Sequence, residues 1–87
     1  DGDREFVIHA LSLKSGFPSD VVSRVLDTAN PRRVTVLAWK AEFSMRTAMQ
    51  LQLRIAHVRP QSILNARDGI DYPLSENEIN RELKKIR

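Results

Sequence analysis

The stretch richest in reactive groups reads Asp68-Gly69-Ile70-Asp71-Tyr72-Pro73-Leu74-Ser75-Glu76-Asn77-Glu78. It holds four carboxylates, a serine hydroxyl and a phenol, the groups of a metal loop or an acid–base site. The spacing argues otherwise. A calcium loop needs D-x-[DN]-x-[DN]-G, and here Gly69 follows Asp68 at once. Ser75 and Glu78 instead match S-x-x-E, a capping box in which each residue satisfies the other's main-chain N–H. Leu74 and Ile79 stand where a hydrophobic staple would. Asp68-Gly69 supplies a turn, and Tyr72 before Pro73 stays extended. The stretch therefore reads as a helix start. Asp71 and Tyr72 are left over, since no cap requires them. They either anchor the loop or meet a partner.

No other constellation supplies chemistry. His9 and His57 fall on different helices without a carboxylate neighbour in sequence. HExxH, GxGxxG, the Walker A loop and GxSxG are all absent. There is no cysteine, hence no thiolate metal site and no disulfide. His57, near a helix C-terminus, is expected to satisfy carbonyls there. The expectation is a protein that is not an enzyme, with no catalytic residue, no metal and no cofactor assigned.

Charge is the next signal. The net charge is +3, unevenly spread. Residues 1–30 carry three basic and five acidic groups, residues 31–60 six basic against one acidic, and residues 61–87 five of each. The basic middle third either marks an anionic partner or is a solvated helix face. Arg33, Lys40, Arg46, Gln50 and Arg54 are the candidate partner-binding residues, as polar positions on one side of the middle helices.

The elements that would position these residues read as helices throughout. Asp3 caps a first helix that ends at Gly16, with Phe6, Val7, Ala10, Leu11 and Leu13 as its apolar residues. Ser19 caps a second, with Val21, Val22, Val25 and Leu26 inside. Asn30 caps and Pro31 begins a third, running to about Phe43. It is apolar on two faces, Val34/Leu37/Ala38/Ala41 and Val36/Trp39/Phe43, so it should be internal. Ser44 caps a fourth that runs to about Val58, where Met45 and Met49, like Trp39, either serve a partner groove or, as their helical spacing favours, pack in the core. Gln52 shares that face, and its amide is either buried and hydrogen-bonded between helices, the favoured role, or turned toward a groove. A short helical turn from Pro60 to Ala66 and a last helix from about Glu76 complete the reading. No strand pair is visible.

The chain also repeats at an offset of 26 residues. Leu11, Lys14 and Phe17 fall on Leu37, Lys40 and Phe43, while Ile8, Leu13, Val22 and Val25 fall on Val34, Trp39, Ala48 and Leu51. Each copy is helix, tight turn with Phe, helix. Stacked hairpins of this kind build α-solenoids. The expected fold is all-α, a HEAT-like α-solenoid fragment of about five to six helices. It forms a single helical-repeat domain over 1–87, with hairpins at about 4–28 and 31–58 and a C-terminal helix at about 76–86.

Three pieces in order carry a wider resemblance: Ser15 to Leu26, Leu37 to Gln52 and Ala66 to Glu78. Over roughly residues 6–83 the chain resembles the bacterial family called domain of unknown function 2336. The resemblance implies a bacterial HEAT-like helical repeat, and no activity or catalytic residue with it. The ending "NRELKKIR" departs from the aromatic-rich close expected of that family. A second, local resemblance joins "SGFPSDVVSRVLDTANPRRV" to the helix-turn-helix of LacI-type repressors. It implies Gly16 as turn glycine, Val22 and Val25 as packing residues, and Ser19, Asp20 and Ser23 toward a DNA groove.

The functional expectation is a protein–protein interaction or scaffold module with an unknown protein partner, capable of weak self-association. The alternative is a nucleic-acid-binding module. No apolar run reaches the roughly 18–20 residues that span a bilayer, and no signal peptide opens the chain. No membrane association and a cytoplasmic location are therefore expected. The first residue is Asp, which suggests a piece of a longer protein.

Overall fold

Asn30 and Pro31 start the helix around which the others assemble. In a computed structural model describing residues 2–68 and 71–86, Asn30 Oδ1 accepts hydrogen bonds from the N–H groups of Arg32 and Arg33 at 3.0 and 3.2 Å. Pro31 sits at the first helical position, where its missing N–H costs nothing. Val34, Thr35, Val36, Leu37 and Ala38 are then buried in unbroken succession. That requires cover all round, as two apolar faces demand.

Five α-helices lie among the described residues: α1 (Gly2–Ser15), α2 (Ser19–Asp27), α3 (Pro31–Lys40), α4 (Met45–Gln50) and α5 (Glu76–Ile86). The expected all-α class holds. The central α3 packs against all four others. The core draws Leu11 from α1, Val22, Val25 and Leu26 from α2, Met45 and Ala48 from α4, and Ile79, Leu83 and Ile86 from α5. Burying each large apolar side chain contributes about 1.5–3 kcal/mol. The Thr35 hydroxyl, fully buried in this core, has no hydrogen-bond partner.

Both α1 and α3 end in a left-handed residue, with different closing hydrogen bonds. Gly16 takes φ +84, and Glu42, 26 residues on, takes φ +63. Gly16 N–H bonds to the Ser12 carbonyl at 3.0 Å. After α3, Phe43 N–H reaches the Ala38 carbonyl at 3.0 Å and Glu42 N–H reaches that of Trp39 at 2.9 Å. This paired closure is the Schellman motif, and its left-handed residue is usually glycine. It stops α3 at Lys40 rather than Phe43. Burial also runs in parallel. Leu11 and Leu37 are both fully buried, as are Val22 and Ala48.

Several helix ends differ from expectation. α1 already runs from Gly2, so Asp3 lies inside its first turn. Pro18, not Ser19, occupies the N-cap of α2, with ψ 153 and its carbonyl accepting from Val22 N–H at 3.0 Å. No side chain caps that helix. Ser44 does cap α4, accepting from Thr47 N–H at 3.2 Å. α4 then widens into a π-helical turn, Leu51–Ile55, instead of continuing to Val58. Ala56 N–H reaches back to the Leu51 carbonyl, and Val58 N–H to that of Gln52. His57, at φ 57, makes the reversal. Its backbone ends the helix while its side chain lies exposed, so the expected capping of carbonyls by the imidazole is not what is found. The following 3-10 turn covers only Pro60–Ser62.

The described residues between 56 and 75 are otherwise irregular and are held by side chains. Gln52, 0% exposed, donates to the carbonyls of Ala48 and Leu64 at 3.3 and 3.0 Å. Its Oε1 accepts from Leu64 N–H at 2.7 Å. The amide is buried as expected, but it clamps a loop rather than a second helix. The Ser75/Glu78 capping box forms in both directions, at 3.0 and 3.2 Å. Leu74 and Ile79 are both buried in the core beside it. The Ser75 main-chain N–H, then its hydroxyl, with Arg32 and Arg81 adding charge, hold the Glu78 carboxyl below the usual range. No helix among the described residues is long and apolar enough to cross a membrane.

Candidate functional site

The reversal after α3 turns Trp39, Lys40, Glu42 and Phe43 toward one side. Tyr72 arrives from the irregular segment to close that surface. Its hydroxyl donates to the Phe43 carbonyl at 2.5 Å. Its own carbonyl accepts from Arg67 Nη2 at 3.1 Å. Arg67 and Asp71 exchange two main-chain hydrogen bonds, at 2.7 and 2.8 Å, which fixes the approach of Tyr72. Of the left-over pair, Tyr72 therefore anchors the loop to the α3–α4 turn through its hydroxyl, while the backbone of Asp71 bonds within the loop, to Arg67. Gly69 and Ile70 lie outside the described residues.

The result is a groove of about 460 Å³ lined by Trp39, Lys40, Glu42, Phe43 and Tyr72. Trp39 is 37% exposed, so it belongs to a surface and not to the core where its helical spacing placed it. Phe43 is half-buried at the floor. Lys40 and Glu42 put one charge of each sign on the rim. Burial pushes the Tyr72 phenol up to about 12. It is a neutral hydrogen-bond donor across the ordinary pH range. This arrangement offers flat aromatic area and a balanced polar edge, the makings of a macromolecular contact.

The five residues expected to bind a partner are split by the structure. Lys40 lines this groove. Arg46, Gln50 and Arg54 are exposed in a single stripe along α4 and its π turn. Arg33 turns away toward α5, where its Nε lies 3.5 Å from Glu82 Oε2. Glu82 is only 6% exposed, and Lys85 Nζ flanks it at 3.5 Å. Arg33 is thus half committed to a buried carboxylate. The burial of Glu82 follows from its place within the stripe Ile79, Leu83, Ile86, but nothing in the sequence joins it to Arg33.

Arg33 also borders a second cleft, of about 330 Å³, with Arg24, Thr28 and Lys85 at its edge. Three cations line that cleft, and two of them, Arg33 and Lys85, flank the buried Glu82 carboxylate. The positions that a helix-turn-helix would present to DNA lie elsewhere on α2. Ser19 and Asp20 are exposed and Ser23 half-buried, with no cation among the three. Among the described residues no three of His, Cys, Asp and Glu converge as a metal site requires.

The spacing of Trp39 and Phe43 favours packing over a groove, and no sequence signal joins them to Tyr72, which lies 29 residues from the carbonyl it meets. Comparison with family models, with curated proteins and with solved structures finds no match to this chain.

Proposed function

We propose that the chain is a non-enzymatic docking module of a bacterial cytoplasmic protein, a pair of stacked helical hairpins that binds a protein partner. The partner seats an aliphatic or aromatic side chain against Trp39, Phe43 and Tyr72. The observation carrying this reading is the half-exposed Trp39 over a groove whose far wall is pinned by a hydrogen bond. Tryptophan and tyrosine are enriched among residues that dominate binding energy. A wall fixed in advance spares the ordering cost of association. Lys40, with Arg46, Gln50 and Arg54 along α4, supplies the polar contacts that set orientation.

Comparative affinity capture tests it. Wild-type protein and a Trp39→Ala/Lys40→Glu variant serve as baits in extract of the native host, read by mass spectrometry. A protein retained by the wild type and lost by the variant supports the groove. Partners retained equally by both overturn it.

A second reading, nucleic-acid binding, is favoured by Arg24, Arg33 and Lys85 meeting at one cleft. Fluorescence anisotropy with labelled duplex DNA at two salt concentrations separates the two. Binding that weakens steeply with salt, and is lost on Arg24→Ala/Arg33→Ala, would establish it.

A further inference from the structure

Helix α1 is apolar on two opposite faces, and only one of them is covered. Leu11 and Ser15 are buried against the rest of the molecule, with Arg4, Val7 and Ile8 half-buried on the same side. At about 100° per residue, Phe6 and Leu13 project from the opposite side, two turns apart. They are 73% and 71% exposed, the most exposed large apolar side chains among the described residues. In α3 the run Val34–Ala38 is covered on both sides.

We propose that the Phe6/Leu13 face of α1 docks on the same face of a second copy of this chain, the two helices antiparallel across a two-fold axis. The charge pattern of α1 selects both the occupant and the orientation. Its first turn is acidic, with Asp3 and Glu5, and its last turn carries Lys14. All three are exposed. Parallel pairing would set acid on acid and lysine on lysine. Antiparallel pairing with Phe6 on Leu13 of the second copy centres the axis between His9 and Ala10. That register brings Lys14 to the level of Glu5 of the second copy. Lys14 and Asp3 also lie on the same flank of the stripe, so Lys14 meets Asp3 of the other copy, a contact made twice per dimer. Arg4 does not compete, because its guanidinium points inward to Asp27 and the Ile55 carbonyl.

A helix of this length spans about 21 Å, too short for one face of it to bury the roughly 800 Å² per partner of a standard interface. The dimer is therefore weak, with a dissociation constant on the order of 0.1–1 mM.

Sedimentation equilibrium from about 20 μM to about 2 mM brackets that constant. The wild type is expected to shift from monomer to dimer across this range. Phe6→Gln and Leu13→Gln, each removing two apolar contacts per dimer, weaken association by more than about tenfold. Both side chains are exposed, so circular dichroism should show unchanged folding. Lys14→Asp also weakens association, and adding Asp3→Lys to it restores it. The charge variants decide the matter if a Gln variant fails to fold. A strict monomer at the highest concentration overturns the proposal. So does dimerisation indifferent to Phe6 and Leu13, or indifferent to the sign at position 14.

Discussion

The Tyr72 hydroxyl donates to the main-chain carbonyl of Phe43, joining the irregular segment before α5 to the turn between α3 and α4. Those two residues are 29 apart in sequence. One side-chain hydrogen bond thus sets where a long loop lies and shapes one wall of the groove.

Tyr72→Phe removes that bond while keeping the ring. The Phe43 carbonyl is left part-buried without its donor, and stability should fall by about 1–2 kcal/mol in chemical denaturation. The same residue gives a pH signature. Burial raises the phenol from its ordinary 10.0 to about 12 in the folded chain. The folded state therefore holds the proton more tightly than the unfolded state. Its contribution is complete below pH 10 and is lost as pH rises through 12. Wild type should lose stability in that alkaline window, and Tyr72→Phe should not lose this part of it. A parallel decline in both proteins would contradict the assignment.

Glu42 holds a left-handed backbone that the equivalent turn gives to Gly16. An L-residue with a side chain pays about 1 kcal/mol there. Glu42→Gly should raise stability by about that amount, and Gly16→Ala should lower it by a similar amount. A Cβ at Gly16 would meet nothing within 4 Å, so the cost is conformational alone. Thermal melts of the two variants should move in opposite directions.

Gln52 behaves as a main-chain surrogate, giving and taking a hydrogen bond with Leu64. Gln52→Leu preserves volume but leaves the Leu64 N–H and C=O without partners. The expected loss is about 2–4 kcal/mol. Hydrogen exchange gives a more local test. The Leu64 amide should be protected in the wild type and exchange freely in the variant, while amides of α3 keep their ranking.

Local chemistry was legible wherever it is written in adjacent residues. Asn30-Pro31, Ser44 and the Ser75/Glu78 box announce helix starts because each satisfies N–H groups within three residues. The buried Val34–Ala38 run follows from two apolar faces on one helix. What escaped the sequence depends on distant partners or on backbone sign. Nothing in Glu42 signals a left-handed φ, so α3 looked three residues longer. The π turn after Gln50 comes from tertiary demands on Leu51 and Gln52, not from their propensities. Trp39 obeys the spacing of a core residue, but α3 ends a residue later and leaves it at the edge. Arg33 looked free because Glu82 lies far along the chain.

The groove also has an optical consequence. Trp39 is the only tryptophan in the chain and Tyr72 the only tyrosine, and both line it. Excitation of the indole therefore reports a single location, with no background from elsewhere in the molecule. A partner that covers Trp39 should move its emission to the blue and shield it from a dissolved quencher. One that lands on α1 should leave the spectrum unchanged. The molecule thus distinguishes occupancy of its two surfaces by colour, without a label.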